Sequence, residues 1–231
     1  MKTIFGVSSV APLNKKLKNG YTLHDWIKRK NCFPAFCLRT LTGQDAITQE
    51  EIDFLHQKDC KVGLVIRDLT EAQVSSNNGD GGVVERAVEA AKALGIPQNA
   101  GITLFVEINP MWSVNHNWML SFAHNLVMNG YLPGFIGNTD SSKNFNFDRQ
   151  VGHYVQATEE ANGFSTVYGA TEPKLDDVPG EWKPYCPSDL NPQDISLWVC
   201  GTITFDAEFV ENVYAHDENV LNHMWYGGAQ E

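Results

Sequence analysis

The chain has 231 residues, 42% hydrophobic and 11% aromatic, enough for a packed core and incompatible with a disordered, collagen-like or low-complexity chain. Its 28 acidic and 17 basic residues give a net charge of −11, which argues against nucleic acid, whose phosphates require clustered Lys and Arg. The local exception, Lys15, Lys16 and Lys18 followed by Lys28, Arg29 and Lys30, reads as a solvated face of the first loop and helix.

Short β-rich runs alternate with helical patterns along the chain, the signature of a parallel sheet wrapped by helices. The first strand is expected at Thr3 to Val7, with a helix near Thr22 to Lys30. A second strand follows at Ala35 to Thr40. Thr48 to Glu51 has capping-box spacing before a second helix that buries Ile52 and Leu55. Lys61 to Arg67 is apolar almost throughout, as a strand buried on both faces should be. Val83 to Leu94 carries apolar residues at helical spacing until Gly95 and Pro97 stop it. Ile102 to Ile108 and Pro133 to Gly137 are further strands, separated by a helix over Asn117 to Asn129. A helix near Phe147 to Thr158 precedes a short strand at Ser165 to Tyr168. Five prolines make Glu172 to Pro192 a long irregular connection. Ile195 to Val199 and Val213 to Ala215 complete eight strands in one βα series. With no break in composition, residues 1–231 form a single domain. The leading architecture is a small TIM-like (β/α)8 barrel; a doubly wound open sheet is the runner-up.

No segment approaches the ~18 uninterrupted apolar residues of a membrane span. Met1 to Val7 lacks the apolar core of a secretory signal and reads as a strand, so a cytoplasmic location is expected. A mature chain stripped of its signal, or one exported without a cleaved signal, would look the same. The five cysteines are scattered without CxxC spacing, giving neither a zinc knuckle nor a disulfide framework. The seven histidines show no HxH or HExxH arrangement, and no metal is implied. Gly79 to Gly82 lacks the spacing of a phosphate loop and reads as a turn leading into a helix. There is no GxSxG elbow, and no cofactor is expected.

In a barrel of this kind, active groups gather at the C-terminal ends of the strands. Those ends hold Ser8 and Ser9; Arg39; Arg67 and Asp68; Glu107, Asn109 and Trp112; Asn138, Thr139 and Asp140; and Tyr168. Trp198 lies near the seventh strand and Asp217 follows the eighth. Glu107 is the sharpest candidate because it interrupts an otherwise apolar run. Alternation puts Phe105, Glu107 and Asn109 on one face and Leu104, Val106 and Ile108 on the other. A carboxylate facing the barrel mouth loses hydration, which suits a general acid unless a base pairs with it. The competing reading is a structural ion pair with Arg39 or Arg67. Arg39 either clamps a ligand or neutralises Glu107. Arg67 and Asp68 are neighbours on a strand, so they point to opposite faces and cannot both face the lumen.

Asp140, in the polar loop Gly137 to Ser142, belongs either to an ordinary Asx turn or to a carboxylate pair flanking a glycosidic bond. Asn138 would then serve a sugar hydroxyl. Trp112, Tyr168, Trp198 and Trp225 are either core and rim residues or an aromatic floor for sugar rings.

Four stretches resemble a known family. Phe5-Gly6-Val7-Ser8 stands where that family has a Gly-hydrophobic-Asp strand, and Phe36-Cys37-Leu38-Arg39-Thr40 is similar to its Arg-Tyr second strand. Gly81 to Gly95 with Leu104 to Asn109 resembles its Ala-rich helix, Leu-Gly-x-Pro turn and acidic fourth strand. Gly130 to Asn138 is similar to its Gly-Tyr-x-x-Gly-Val-Tyr strand. The family is the glycoside-hydrolase-like domain of unknown function 1906, a barrel related to family 25 lysozymes. The likeness covers about the first 140 residues well and the remainder loosely. It implies a barrel acting on cell-wall or other polysaccharide. Two positions depart from the pattern: Ser8 replaces the acid of the first strand, and the Asp-x-Glu pair of the lysozyme relatives appears as Glu107-Ile108-Asn109. Asn109 can hold an acetamido group or a water but cannot donate a proton as an acid does.

The leading expectation is a glycoside-hydrolase-like barrel that binds a carbohydrate at its mouth and hydrolyses it. Glu107 is the principal acid, with Asp140 or Asp68 as its partner and Arg39 as a positioning group. Asn109, Trp112, Asn138, Tyr168, Trp198 and Asp217 complete the expected binding surface. The rival is a non-catalytic carbohydrate-binding or scaffold barrel, motivated by Ser8 and Asn109. A barrel for a phosphorylated metabolite is disfavoured, because no Gly-rich loop follows the seventh strand.

Overall fold

The computed structural model describes residues 3–30, 32–143, 145–160, 163, 165–172, 180–187, 189–205 and 208–225, excluding the side chains of 141, 172 and 203–205. Eight strands close into one barrel in chain order: β1 Ile4–Ser9, β2 Phe36–Thr40, β3 Lys61–Ile66, β4 Thr103–Glu107, β5 Leu132–Gly137, β6 Val167–Glu172, β7 Ile195–Phe205 and β8 Glu208–Ala215. The helices are α1 Leu23–Arg29, α2 Gln49–His56, α3 Glu71–Val74, α4 Val83–Ala93, α5 His116–Met128 and α6 Asn146–Glu160. The expected TIM-like α/β barrel is therefore the fold. Of the proline-rich connection, 173–179 and 188 lie outside the described residues.

Period-two alternation sorts each strand into two layers. Phe36, Leu38, Val65, Phe105, Ile136, Leu197, Val199, Val213 and Ala215 fill the lumen. The intervening residues, among them Cys37, Leu64, Leu104, Val106 and Phe135, pack outward onto Ile52, Leu55, Ala87, Ala91, Phe122 and Tyr154 of the helices. The lumen is filled by large side chains set against small ones. A Cβ at Gly134 would fall 2.3 Å from the Phe105 ring, so only glycine fits that level of β5.

The capping box expected at α2 is half formed. Thr48 accepts from the Glu51 backbone N–H at 3.2 Å, but the Glu51 carboxylate turns away and accepts from Arg39 and from the Leu13 N–H. The glycine-rich segment before α4 is a turn, as expected, with Gly82 as N-cap and Asp80 accepting from the Gly82 N–H at 2.8 Å.

The last two strands depart from the βα series. β7 continues six residues beyond Val199, β8 starts five before Val213, and only residues 206 and 207 separate them. So short a connection requires an antiparallel hairpin. β8 accordingly runs antiparallel to both β7 and β1, while every other neighbouring pair is parallel. The start of β8, rather than its end, lies at the barrel mouth.

Candidate functional site at the barrel mouth

The mouth holds a cleft of about 360 Å³ lined by Arg67, Glu107, Ile108, Asn109, Pro110, Thr171 and Glu211. Glu107 reaches it from the end of β4, where alternation keeps Phe105 in the lumen beneath it. Arg67 follows β3, and Asn109 follows β4. Glu211 comes from the upper half of β8, paired in register with Ser8 of β1. β4 and β8 are four strands apart in a closed ring of eight, so the two carboxylates approach from opposite walls.

One guanidinium ties these groups together. Arg67 Nε donates to Glu107 Oε2 at 2.6 Å, Nη1 to Thr40 Oγ1 at 3.0 Å and Nη2 to Ser8 Oγ at 3.0 Å. Ser8 Oγ donates onward to Glu211 Oε2 at 2.8 Å. Burial pushes the Glu211 carboxyl above its usual pKa range, and the neighbouring Glu107 charge adds to the rise. The Ser8 hydrogen bond and Arg67 oppose it only in part. The cleft thus combines a carboxyl biased toward its protonated form with a second carboxylate held by a fixed positive charge. That is the division of labour expected of an acid and an electrostatic stabiliser.

The other expected site residues separate into those at the cleft and those elsewhere. Asn109 is at the cleft, its Oδ1 accepting from the Met111 N–H at 2.9 Å. Arg39 is not. It faces outward from β2, is fully buried, and spends all five N–H groups on Glu51, the Ser9, Val10 and Asp45 carbonyls. It neither clamps a ligand nor neutralises Glu107; its neighbour Thr40 takes the lumen side. Asp68 lies past the end of β3, is not among the residues lining the cleft, and accepts from the Thr42 hydroxyl.

Asp140 is buried, and one of its oxygens accepts from both the Ser142 N–H at 2.9 Å and the Ser142 hydroxyl at 2.6 Å, starting a 3-10 turn. Asn138 accepts from the Asp140 N–H at 2.9 Å in the same loop. This is the Asx-turn reading, and Asp140 is not the partner of Glu107.

The aromatic floor does not form. Trp198 and Tyr168 face outward, Trp198 packing edge-to-face on Trp182 with ring centroids 5.6 Å apart. Trp112 packs against the outer core, and Trp225 bridges to Val62 at the start of β3, the base of the barrel. Asp217 is also at the base because β8 descends; it accepts from the Asn219 N–H at 2.8 Å and from His216, whose Nδ1 is 3.0 Å away.

Glu211 escaped the sequence reading because the strand-end rule assumes parallel strands. The signal present was the alternation Phe209, Glu211, Val213, Ala215, with one carboxylate on an otherwise apolar face.

Comparison with solved structures shows the same fold. An uncharacterised Bacillus stearothermophilus protein matches with a TM-score of 0.77 at 19% identity, over 96% of this chain and 100% of that one. A Tat-secreted protein of Mycobacterium tuberculosis matches with 0.60 at 10% identity, over 91% and 94%. A family GH25 lysozyme from Aspergillus fumigatus matches with 0.52 at 11% identity, over 96% and 98%. No family model matches the chain, and no curated protein matches it. No helix among the described residues is long and apolar enough to cross a membrane.

Proposed function

We propose that this chain is a glycoside-hydrolase-like barrel of the 1906 type that binds a cell-wall type polysaccharide at its mouth and hydrolyses it. The observation that carries this reading is the pair of carboxylates, Glu107 and Glu211, brought into one cleft from opposite walls and linked through Arg67 and Ser8. The barrel shared with a family GH25 lysozyme supports it.

In this mechanism Glu211 gives its proton to the glycosidic oxygen as the bond from that oxygen to the anomeric carbon breaks, the electron pair leaving with oxygen. Glu107, fixed by Arg67, faces the positive charge that develops on the sugar ring. Water then bonds to the anomeric carbon and returns a proton to Glu211. Asn109 holds an acetamido group or the incoming water. A wall polysaccharide lies outside the cytoplasm, so this function requires export, as in the Tat-secreted neighbour.

Turnover of purified peptidoglycan and soluble glycans by the full chain tests the proposal. Glu211→Gln and Glu107→Gln should each abolish hydrolysis while retaining the fold; hydrolysis at the normal rate in either variant would remove that residue from its role. A second reading, a carbohydrate-binding barrel without turnover, is favoured by the amide at Asn109 and by the closed ion pair on Glu107. Glycan binding by the wild-type chain without product release would select it.

A further inference from the structure

The hairpin that carries Glu211 does not stop at the barrel rim. β1 ends at Ser9, opposite Val210, whereas β7 and β8 remain paired out to Phe205 and Glu208. Phe209 therefore stands on the projecting part of the hairpin. It shares a face with Glu211, Val213 and Ala215, and the last two line the lumen. Two residues of strand rise place Phe209 about 7 Å above Glu211 on that face. Phe209 is 69% exposed, although an aromatic of this size ordinarily buries most of its surface.

Further features mark this rim. Ser8 is opposite Glu211 and Ser9 opposite Val210, and Val10 follows as a bend at the same rim. Val10 is 50% exposed. Two exposed apolar residues, Val10 just past the end of β1 and Phe209 near the start of β8, thus stand at the rim beyond the Ser8–Glu211 pair. The hairpin is also anchored: Lys15, in the loop after β1, forms a salt bridge with Glu208, adjacent to Phe209. Across the cleft, Met111 lies two residues beyond Asn109 and is 80% exposed.

From this placement we infer that Phe209 is the platform on which one pyranose ring of the polysaccharide stacks next to the bond held by Glu211. The inference rests on the carbohydrate reading above and deepens it by naming a specificity-determining residue. Sugar rings present apolar C–H faces between polar edges. An open aromatic ring one side-chain step above a proton donor matches that face, with the hydroxyl groups left to solvent and to Asn109. Phe carries no polar group of its own, so the contact selects the ring's shape and not a particular hydroxyl.

Titration calorimetry of the full chain with chitohexaose, cellohexaose and soluble peptidoglycan fragments tests this. Phe209→Ala should weaken binding of the preferred glycan about tenfold, the loss expected for one stacked ring. Phe209→Trp should retain it. In a turnover assay Phe209→Ala should raise KM far more than it lowers kcat. Binding by Phe209→Ala equal to wild type would overturn the platform and leave the hydrolase proposal intact. Failure of the wild-type chain to bind any of these glycans would overturn the carbohydrate reading and the platform with it. Glycan binding that depends on Phe209 without any hydrolysis would keep the platform and remove only the catalytic step.

Discussion

Arg39 lies on β2 and Arg67 just past the end of neighbouring β3, and each is bonded through Nε to a glutamate, at 2.7 Å and 2.6 Å. Arg39 points outward from β2 into the helix layer, where both members of its pair are fully buried. Arg67 extends past the end of β3 into the mouth, and its side chain and that of Glu107 remain 17% and 27% exposed. The first pair fastens the loop after β1 and helix α2 to the barrel wall. The second joins Glu107 to Thr40 and Ser8 and, through Ser8, to Glu211 in the cleft. Identical side-chain chemistry thus serves the fold in one place and the site in the other, and strand alternation decides which.

The largest expected effect separates the two regions. Glu211→Gln should lower glycan turnover by about 10²–10⁴-fold, the usual contribution of a positioned proton donor, with no loss of melting temperature. Arg39→Met should do the converse by leaving the Glu51 charge buried without a partner. Breaking such a pair costs about 3–5 kcal/mol in chemical denaturation, and replacing both partners by methionine should recover part of the loss. Arg67→Met should cost only about 1 kcal/mol of stability, because its pair is partly solvated, yet should lower turnover. Equal stability losses at the two arginines would break the comparison.

The Glu211 carboxyl offers a finer test. Its pKa is raised in the folded chain, so the folded state binds its proton more tightly than the unfolded state does. Its contribution is fully present below the unfolded carboxylate pKa and is lost as pH rises through the folded value. Glu211→Gln should therefore melt higher than wild type at pH 7, with the difference shrinking toward pH 4; a pH-independent difference would contradict the burial argument. By the same protonation step, hydrolysis should decline as pH rises through that value. The smallest effect belongs to the barrel base. Asp217→Ala should remove a turn cap worth about 1 kcal/mol and leave glycan turnover unchanged.

The first five strands were legible because burial on both faces leaves apolar runs bounded by turns, whereas the sixth, read at Ser165 to Tyr168, runs over Val167–Glu172, where Gly169, Thr171 and Glu172 break the apolar run. Glu107 was legible because a carboxylate interrupting such a run must face the lumen or the helices, and its neighbours identify which. Arg39 was misread for a related reason. Cys37 and Arg39 share a face that looks apolar, and nothing local says that Glu51, twelve residues on, turns back from its helix cap to meet the guanidinium. Asp217 was placed at the mouth and Glu211 overlooked by one error, the assumption that the final strand runs parallel to the rest. The read strands, 195–199 and 213–215, left room for a crossover, whereas the extended strands leave two residues.

From the sequence alone come the alternation of strand and helix, the barrel as the leading architecture, and the inward face of Glu107. These follow from periods of 2 and 3.6 residues, which are local properties of the backbone. The tertiary structure decided the direction of β8, the meeting of Glu211 and Glu107 in one cleft, and the different surroundings of the two arginines. Those depend on closing a ring whose first and last strands are about 200 residues apart in the chain, a contact that no local period encodes.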